Sequence, residues 1–255
     1  QNISELNRRF SRFSDYLEEE TGLKVEYTRS NDYAALVTAF RRGEVHLGWF
    51  GGLTGVQARR AVPGSQALAQ RPRDVEFHSK FIVRRDLDVD SLEDLRGRTF
   101  TFGDENSTSG HLMPRHFLLE AGVDPSEDFQ APPNFSGSHD RTWKLVESGS
   151  YQAGALNEAV WNRAVRENQV DTSQVRVFYT TPAYYDYHWT LHADVDDSFG
   201  EGTSQSIQEA LLNLDPEKPR HKRILDLFAA DGFIETKNEN YQAIEDVAKR
   251  VGIIK

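Results

Sequence analysis

Thr101-Phe-Gly-Asp-Glu-Asn-Ser-Thr-Ser-Gly-His-Leu-Met-Pro114 is the segment that decides the fold, because two hydrophobic patterns meet in it. The apolar residues between Arg98 and Phe102 alternate as in a β-strand, and the alternation ends at Gly103. A helical spacing follows at His111, Leu112, Phe117, Leu118 and Leu119. The segment therefore predicts a strand, a polar loop and a helix, which indicates an α/β protein.

The polar loop carries three consecutive hydroxyl side chains. Ser107, Thr108 and Ser109 lie at the predicted helix start, where the first backbone N–H groups lack intrahelical partners and the macrodipole is positive. Hydroxyls beside these N–H groups provide donors without a positive charge, which suits a small tetrahedral oxyanion. Serine and threonine are also common N-caps, and the triplet alone favours that simpler role.

Two further segments favour anion binding. Phe135-Ser-Gly-Ser-His-Asp140 ends a predicted strand and opens a helix, and Thr181-Pro-Ala-Tyr-Tyr-Asp-Tyr-His-Trp189 is rich in aromatic and acidic residues. With Gly154-Ala-Leu-Asn-Glu158 between them, the order and spacing of these motifs resemble the periplasmic phosphonate, phosphite and phosphate substrate-binding proteins of ABC importers. Subfamilies with the same pattern, including Phe77-His-Ser-Lys80 before the first motif, have also been labelled selenate-binding.

This resemblance implies a two-lobed periplasmic binding protein of type II. Each lobe would be a mostly parallel sheet flanked by helices, and a hinge of two crossings would join them. The charged segment from Arg84 to Asp90 is the expected first crossing, and the chain returns after Thr181-Pro182. Lobe 1 is therefore predicted to contain residues 1–84 and 186–255, and lobe 2 residues 85–185.

The pattern of strands and helices places several side chains near one sheet edge. The predicted strands are 23–27, 45–50, 76–83, 98–102, 151–156 and 175–179. Ligands of such sheets lie beyond the carboxyl ends of the strands. Trp49, Phe50 and Tyr33 are expected at this edge, together with the polar loops.

The resemblance implies a set of ligand-binding positions at which the anion lies between the lobes. The matching residues are Ser107, Thr108, Ser109, His139, Tyr33, Asp186 and Tyr185. Trp49 is added because of its predicted place at the sheet edge. Glu158 is added as a weaker acidic candidate of the same kind as Asp186, although an acid in the first turn of a helix is favoured anyway. For His139 the alternative is local hydrogen bonding, and His111 is interpreted as structural.

Asp186 is unusual in an anion site. Its carboxylate could accept a hydrogen bond from a P–OH group, which would select a protonated anion and reject sulfate-like ligands. The alternative is an exposed strand residue. The aromatic residues Tyr184, Tyr185, Tyr187 and Trp189 could line the cleft or fill the core, and alternation predicts that each set does one of these.

The composition restricts the class of partner. The chain has 255 residues, 38% of them hydrophobic, no cysteine and a formal charge of −10, so neither nucleic acid nor an anionic membrane is an expected partner. No transmembrane run and no signal-peptide pattern are found from Gln1 onward. The resemblance implies a periplasmic or extracytoplasmic chain, and we therefore expect a mature chain whose signal peptide has been removed.

The favoured function is a monomeric receptor that closes on a small oxyanion and delivers it to the membrane permease of an ABC importer. No metal or other cofactor is expected. An enzyme on the same scaffold is disfavoured, because the sequence has no nucleophile with a paired base and no metal-ligand cluster. A receptor for selenate or selenite and a ligand-sensing module for a signalling kinase are the remaining alternatives.

Overall fold

The computed structural model describes residues 3–30 and 32–255. Contacts divide the chain into two compact units, each made of two chain segments. Unit 1 consists of residues 1–75 and 187–242, and unit 2 consists of residues 76–186 and 243–255.

The elements alternate between helices and strands along most of the chain. The helices are α1 (Ile3–Thr21), α2 (Tyr33–Arg41), α3 (Gly52–Ala61), α4 (Met113–Glu120), α5 (His139–Glu147), α6 (Glu158–Arg166), α7 (Val195–Phe199), α8 (Thr203–Leu212), α9 (Pro219–Leu225) and α10 (Gln242–Arg250). The strands are β1 (Leu47–Phe50), β2 (Gln66–Gln70), β3 (Ser79–Arg84), β4 (Phe100–Phe102), β5 (Asn134–Phe135), β6 (Ala153–Asn157), β7 (Val175–Thr180), β8 (His188–Leu191) and β9 (Ile234–Glu235). The predicted α/β class is confirmed.

Unit 2 contains a sheet with the strand order β5-β4-β6-β3-β7. Strand β4 runs parallel to β5 and β6, whereas β3 is antiparallel to β6 and β7. All strands of this sheet except β3 therefore run in one direction, as expected of a mostly parallel sheet.

The sheet of unit 1 corrects that expectation. Its order is β1-β8-β2-β9, and each of its pairings is antiparallel in the part of the chain that the structure describes. Strand β8 follows unit 2 in the sequence and inserts between β1 and β2, with Trp189 opposite Trp49. Because β1 and β2 both pair with this returning strand, they run in the same direction without being neighbours.

The boundaries of the two units differ from the predicted lobes. The strand predicted at 76–83 is β3, and its pairing with β6 and β7 places it in unit 2, so that this unit begins at Glu76 rather than after Arg84. The second boundary lies after Asp186, one residue beyond the predicted position. Residues 243–255, which were predicted in lobe 1, make their contacts within unit 2.

The strand predicted at 23–27 is wrong, because the described backbone there forms no strand. The N–H of Val25 instead donates to Glu18 Oε1 at 2.8 Å, so a carboxylate of the preceding helix takes the donor that a sheet would use. Tyr27, the last residue of the alternation, stacks on Phe10 with ring centroids 4.7 Å apart. Residues 23–27 therefore pack against α1 instead of joining a sheet.

Each unit has its own aromatic core. In unit 1, Trp189 stacks on Phe13 at a centroid distance of 5.2 Å and meets Phe228 edge-on at 5.1 Å. In unit 2, Phe100 contacts Phe102 edge-on at a centroid distance of 4.9 Å. Burying such a side chain stabilises the fold by about 1.5–3 kcal/mol.

Helix α3 approaches strand β8 closely at Gly55. A Cβ atom built at this position would overlap the imidazole of His188, which is fully buried. The glycine is therefore required by packing, although a glycine inside a helix is unfavourable by itself.

Gly55→Ala should lower the free energy of unfolding by about 1–3 kcal/mol in urea denaturation, because the added methyl group must displace His188. In an exposed helix the same change would stabilise the protein by about 0.5–1 kcal/mol. Gln57→Ala on the same helix is the control for helix propensity. Equal or higher stability of Gly55→Ala would show that the His188 ring moves without cost.

Candidate functional site

The loop after β4 is closed by its own backbone. Gly103 N–H donates to the carbonyl of Gly110 at 2.8 Å, and Thr108–Leu112 then form one π-helical turn that continues into α4. The predicted helix is present, but its first turn is wider than an α-turn. This wider turn contains two of the three predicted cradle residues.

Ser107 is the N-cap of this turn. Its Oγ accepts from Gly110 N–H at 2.9 Å, and its carbonyl accepts from His111 N–H at 3.2 Å and Leu112 N–H at 3.0 Å. The N–H groups of Thr108 and Ser109 come before those of Gly110, His111 and Leu112 in the sequence. Ser107 therefore caps the helix, as the simpler interpretation predicts, but capping uses only a lone pair and leaves the hydroxyl hydrogen available to a ligand.

His139 opens α5 on the second loop, and its side chain is 9% exposed. Its Nδ1 accepts from Asn157 N–H at 3.3 Å, which places the ring hydrogen on Nε2. His139 Nε2 is buried and has no hydrogen-bond partner among the described residues. A buried donor without a partner is costly, and a ligand that accepts from it would remove the cost.

The His139 ring lies directly against the first loop. A Cβ atom on Gly110 would be 3.0 Å from His139 Cε1, and one on Gly103 would be 3.6 Å from His139 Nδ1. The ring can approach the loop this closely only because neither glycine has a side chain. The structure therefore brings His139 and the Ser107–Ser109 turn together, as the resemblance implies.

Burial lowers the pKa of His139 to about 4. At neutral pH the ring is therefore uncharged and presents an N–H dipole rather than a cation. The pKa of His111 is also lowered to about 4 by burial. The site consequently contributes neutral donors.

His111 has a local role, as the sequence suggests. Its Nε2 accepts from Arg115 Nε at 2.9 Å, so its Nδ1 carries the hydrogen and donates to the carbonyl of Glu105 at 2.7 Å. The ring also packs edge-on against Phe102 at a centroid distance of 4.9 Å. His111 thus holds the loop in place through its contacts with Glu105, Arg115 and Phe102.

The third motif contains alternately buried residues. Asp186 is 1% exposed and Tyr184 is also buried, whereas Tyr185 is half-buried. The alternative prediction for Asp186, an exposed strand residue, is therefore wrong. The backbone of Tyr184 pairs with that of Phe77 through bonds of 2.9 and 3.0 Å, which fixes this segment beside the start of β3.

Sequence reasoning missed Ser79. Its Oγ donates to the carbonyl of Ser109 at 2.8 Å and lies 2.7 Å from the hydroxyl of Tyr184. Its N–H donates to Thr181 Oγ1 at 2.9 Å. Ser79 therefore links the third motif to the first loop, and the only sequence signal was its position in the Phe-His-Ser-Lys motif of the resembled subfamilies.

Glu158 lies at the start of α6 and forms an ion pair with Lys80 at 2.8 Å. Lys80 also donates to Thr180 Oγ1 at 2.9 Å. The carboxylate of Glu158 therefore has a local partner. A role for Glu158 at the ligand stays a prediction.

Tyr33 and Trp49 belong to unit 1, whereas the other candidates belong to unit 2. Tyr33 is half-buried at the start of α2, behind the N-cap Asp32. Trp49 stacks on Tyr187 with centroids 5.8 Å apart, and the guanidinium of Arg71 lies 5.2 Å from the Trp49 ring and 5.1 Å from the Tyr187 ring. This arrangement holds the indole of Trp49 in a defined orientation.

Within residues 3–30 and 32–255, no group of three or more His, Cys, Asp or Glu side chains could hold a metal ion. The helices in these ranges are all too short or too polar to cross a membrane.

Known proteins of similar sequence bind phosphorus oxyanions according to their names. The chain is 42% identical to the "Probable ABC transporter phosphite binding protein PhnD1" of Prochlorococcus marinus, over all of this chain and 88% of that protein. It is 32% identical to the phosphate-import protein PhnD of Mycolicibacterium smegmatis, over 60% of this chain and 51% of that protein.

Solved structures agree with the sequence matches. The structure of Prochlorococcus marinus PhnD1 in complex with methylphosphonate has a TM-score of 0.92 and 43% identity, and the match covers 100% of this chain and 96% of that one. A binding protein of a phosphonate ABC transporter from Pseudomonas aeruginosa, at 20% identity, has the same fold with a TM-score of 0.79 over 97% of this chain and 82% of that one.

The model of one protein family matches residues 1–241, which is almost the whole chain, and it describes a periplasmic substrate-binding protein of phosphonate ABC transporters. The chain therefore belongs to the family of periplasmic substrate-binding proteins of phosphonate ABC transporters.

Proposed function

We propose that the chain is the receptor for a small phosphorus oxyanion, which is a phosphonate, phosphite or phosphate. The observation that carries the proposal is the buried Nε2–H of His139, which lies on the loop that packs against the Ser107–Ser109 turn. The 42% identity to a phosphite-binding protein supports the same class of ligand. As a family member, the chain is an extracytoplasmic transport component that works with a membrane permease.

The proposed site binds its anion with neutral groups. The hydroxyls of Ser107 and Thr108, the first N–H groups of the turn and His139 Nε2–H are donors without net charge. In a buried site such oriented dipoles act strongly, because water does not screen them. The formal charge of −10 on the chain is spread over a screened surface and does not oppose this binding.

Asp186 supports the choice of phosphorus oxyanions over sulfate and selenate. A buried carboxylate near an anion is repulsive unless the anion brings a hydrogen that the carboxylate can accept. Phosphonate, phosphite and phosphate monoanions have a P–OH group, whereas sulfate and selenate at neutral pH do not. We therefore propose that Asp186 accepts from the ligand, and that Tyr185, Tyr33 and Trp49 complete the set of binding residues.

Thr108→Val should weaken binding of methylphosphonate by about 1–3 kcal/mol, because the ligand loses one donor while the volume of the side chain is kept. Isothermal titration calorimetry on ligand-free protein measures the effect. Thr190→Val is the matched control, since Thr190 is buried in unit 1 and its hydroxyl has no partner among the described residues. Unchanged affinity of Thr108→Val would remove this residue from the proposed site.

The ligand-free protein should lose stability as the pH falls from about 6.5 toward about 4. The pKa of His139 is about 4 in the folded protein and near 6.5 in the unfolded chain, so the unfolded state binds the extra proton between these values. The loss should be on the order of 3 kcal/mol for His139 and similar for His111. Urea denaturation at several pH values measures it.

His139→Asn should reduce this pH dependence, and the remaining slope should come from His111 and from His116, because burial also lowers the pKa of His116. A wild-type protein whose stability is constant between pH 6.5 and 4.5 would show that His139 is charged in the fold. A cationic rather than neutral donor would then be the correct description of the site.

Asp186→Asn should reduce discrimination between methylphosphonate and sulfate, because the amide can donate to a bare oxygen where the carboxylate repels it. In the wild type, affinity for methylphosphonate should fall as the pH rises through the second ionisation of the ligand. Calorimetry with both anions between pH 5.5 and 8.5 tests this, and Asp171→Asn, an exposed carboxylate of the same unit, is the control. Tight, pH-independent binding of sulfate or selenate by the wild type would favour the selenate alternative.

A further inference from the structure

We infer that Tyr184 and Ser79 are positioning residues that act on the anion through Ser107. Their hydroxyls belong to a relay of hydrogen bonds, which runs in one direction, crosses the peptide group between Ser109 and Gly110, and ends at the hydroxyl hydrogen of Ser107. The inference rests on the proposed function, because the anion is the acceptor at the end of this relay.

The direction of the first two bonds follows from the number of hydrogens. The carbonyl of Ser109 can only accept, so the hydrogen of Ser79 Oγ is the one donated to it across 2.8 Å. Ser79 has no second hydroxyl hydrogen. The hydroxyl of Tyr184, 2.7 Å away, is therefore the donor in its bond with Ser79 Oγ.

The peptide group between Ser109 and Gly110 continues the chain. Its carbonyl accepts from Ser79, and its N–H donates to Ser107 Oγ at 2.9 Å. Peptide resonance couples these two ends, so a hydrogen bond received at the oxygen makes the N–H a stronger donor. The polarisation of the Tyr184 and Ser79 hydroxyls is thereby transmitted to the hydroxyl of Ser107.

The last step fixes the orientation of the Ser107 hydroxyl. Because its oxygen already accepts from Gly110, its hydrogen is directed toward another acceptor, and the strengthened N–H bond makes it a better donor. Tyr184, Ser79, Ser109 and Ser107 are all buried, so water does not interrupt the chain. Neighbouring bonds in a buried chain strengthen one another by about 10–30% each.

This orientation has a consequence for specificity. The bond received from Gly110 makes Ser107 Oγ a stronger donor and a weaker acceptor, so an unprotonated ligand oxygen is favoured beside it. A P–OH group placed there would have to donate to the remaining, weakened lone pair of Ser107. The relay therefore favours the orientation of the ligand in which its protonated oxygen points away from Ser107. The proton on that oxygen is then available to the carboxylate of Asp186, which is proposed to accept it.

A double-mutant cycle separates this role from simple support of the loop. Ser79→Ala should weaken methylphosphonate binding about three- to tenfold in the otherwise unchanged protein, which is the effect of losing one typical hydrogen bond. In the Ser107→Ala background the same change should alter affinity less than about twofold, because the group through which the relay acts is absent. Equal effects in both backgrounds would overturn the inference.

Tyr184→Phe is the second variant, because it removes one hydroxyl and keeps the ring. Its effect on affinity should have the same dependence on Ser107 as that of Ser79→Ala. Tyr16→Phe is the matched control, since the buried Tyr16 hydroxyl donates to the carbonyl of Ala210 at 2.7 Å in unit 1. Ser65→Ala is the control for Ser79, because the Ser65 hydroxyl is buried and has no partner among the described residues.

A spectroscopic measurement tests the relay without any ligand. In protein labelled with 15N-glycine, the amide resonance of Gly110 should shift in Ser79→Ala and Tyr184→Phe, and should keep its position in Ser65→Ala and Tyr16→Phe. An unshifted Gly110 amide in Ser79→Ala would overturn the relay even if the anion binds. If the wild type binds none of methylphosphonate, phosphite and phosphate but the Gly110 amide shifts, the proposed function fails and the hydrogen-bond chain stands as a structural feature.

Discussion

A Cβ atom on Gly110 would lie 3.0 Å from His139 Cε1 and 3.2 Å from Gly103 Cα, so the two loops of unit 2 touch through backbone and ring alone. The rest of the candidate site depends on this close approach. It allows the Gly103 to Gly110 hydrogen bond that closes the first loop, and it excludes water from the His139 ring, which keeps that ring neutral. A larger residue at either glycine would separate the donors of the turn from the donor of the imidazole.

The local features of this site were predictable from the sequence, because each is encoded within a few consecutive residues. The strand that ends at Phe102, the hydroxyl-rich helix start and the loop that opens at His139 all follow from hydrophobic period and capping chemistry. The ligand class came from the resemblance of several motifs, since three hydroxyls alone favour an ordinary cap.

The features that were missed depend on pairing between distant segments. Strand β3 joins β6 and β7 through partners at least 70 residues away in the chain, and no local pattern indicates which sheet it enters. The contact between Ser79 and Ser109 has the same origin. At Val25, the backbone N–H donates to the carboxylate of Glu18 in the preceding helix. The segment therefore does not join a sheet, although its side chains alternate as in a strand.

The insertion of β8 between β1 and β2 also has a consequence for the order of folding. A chain made from its N-terminus presents β1 and β2 long before residues 188–191 exist to pair with them, whereas the described strands of unit 2 all lie in one continuous segment. Unit 2 can therefore form its sheet while strands β1 and β2 of unit 1 still lack their partner β8. Exposed strand edges of this kind promote aggregation, so the interval before β8 emerges is the period in which the chain most needs a chaperone.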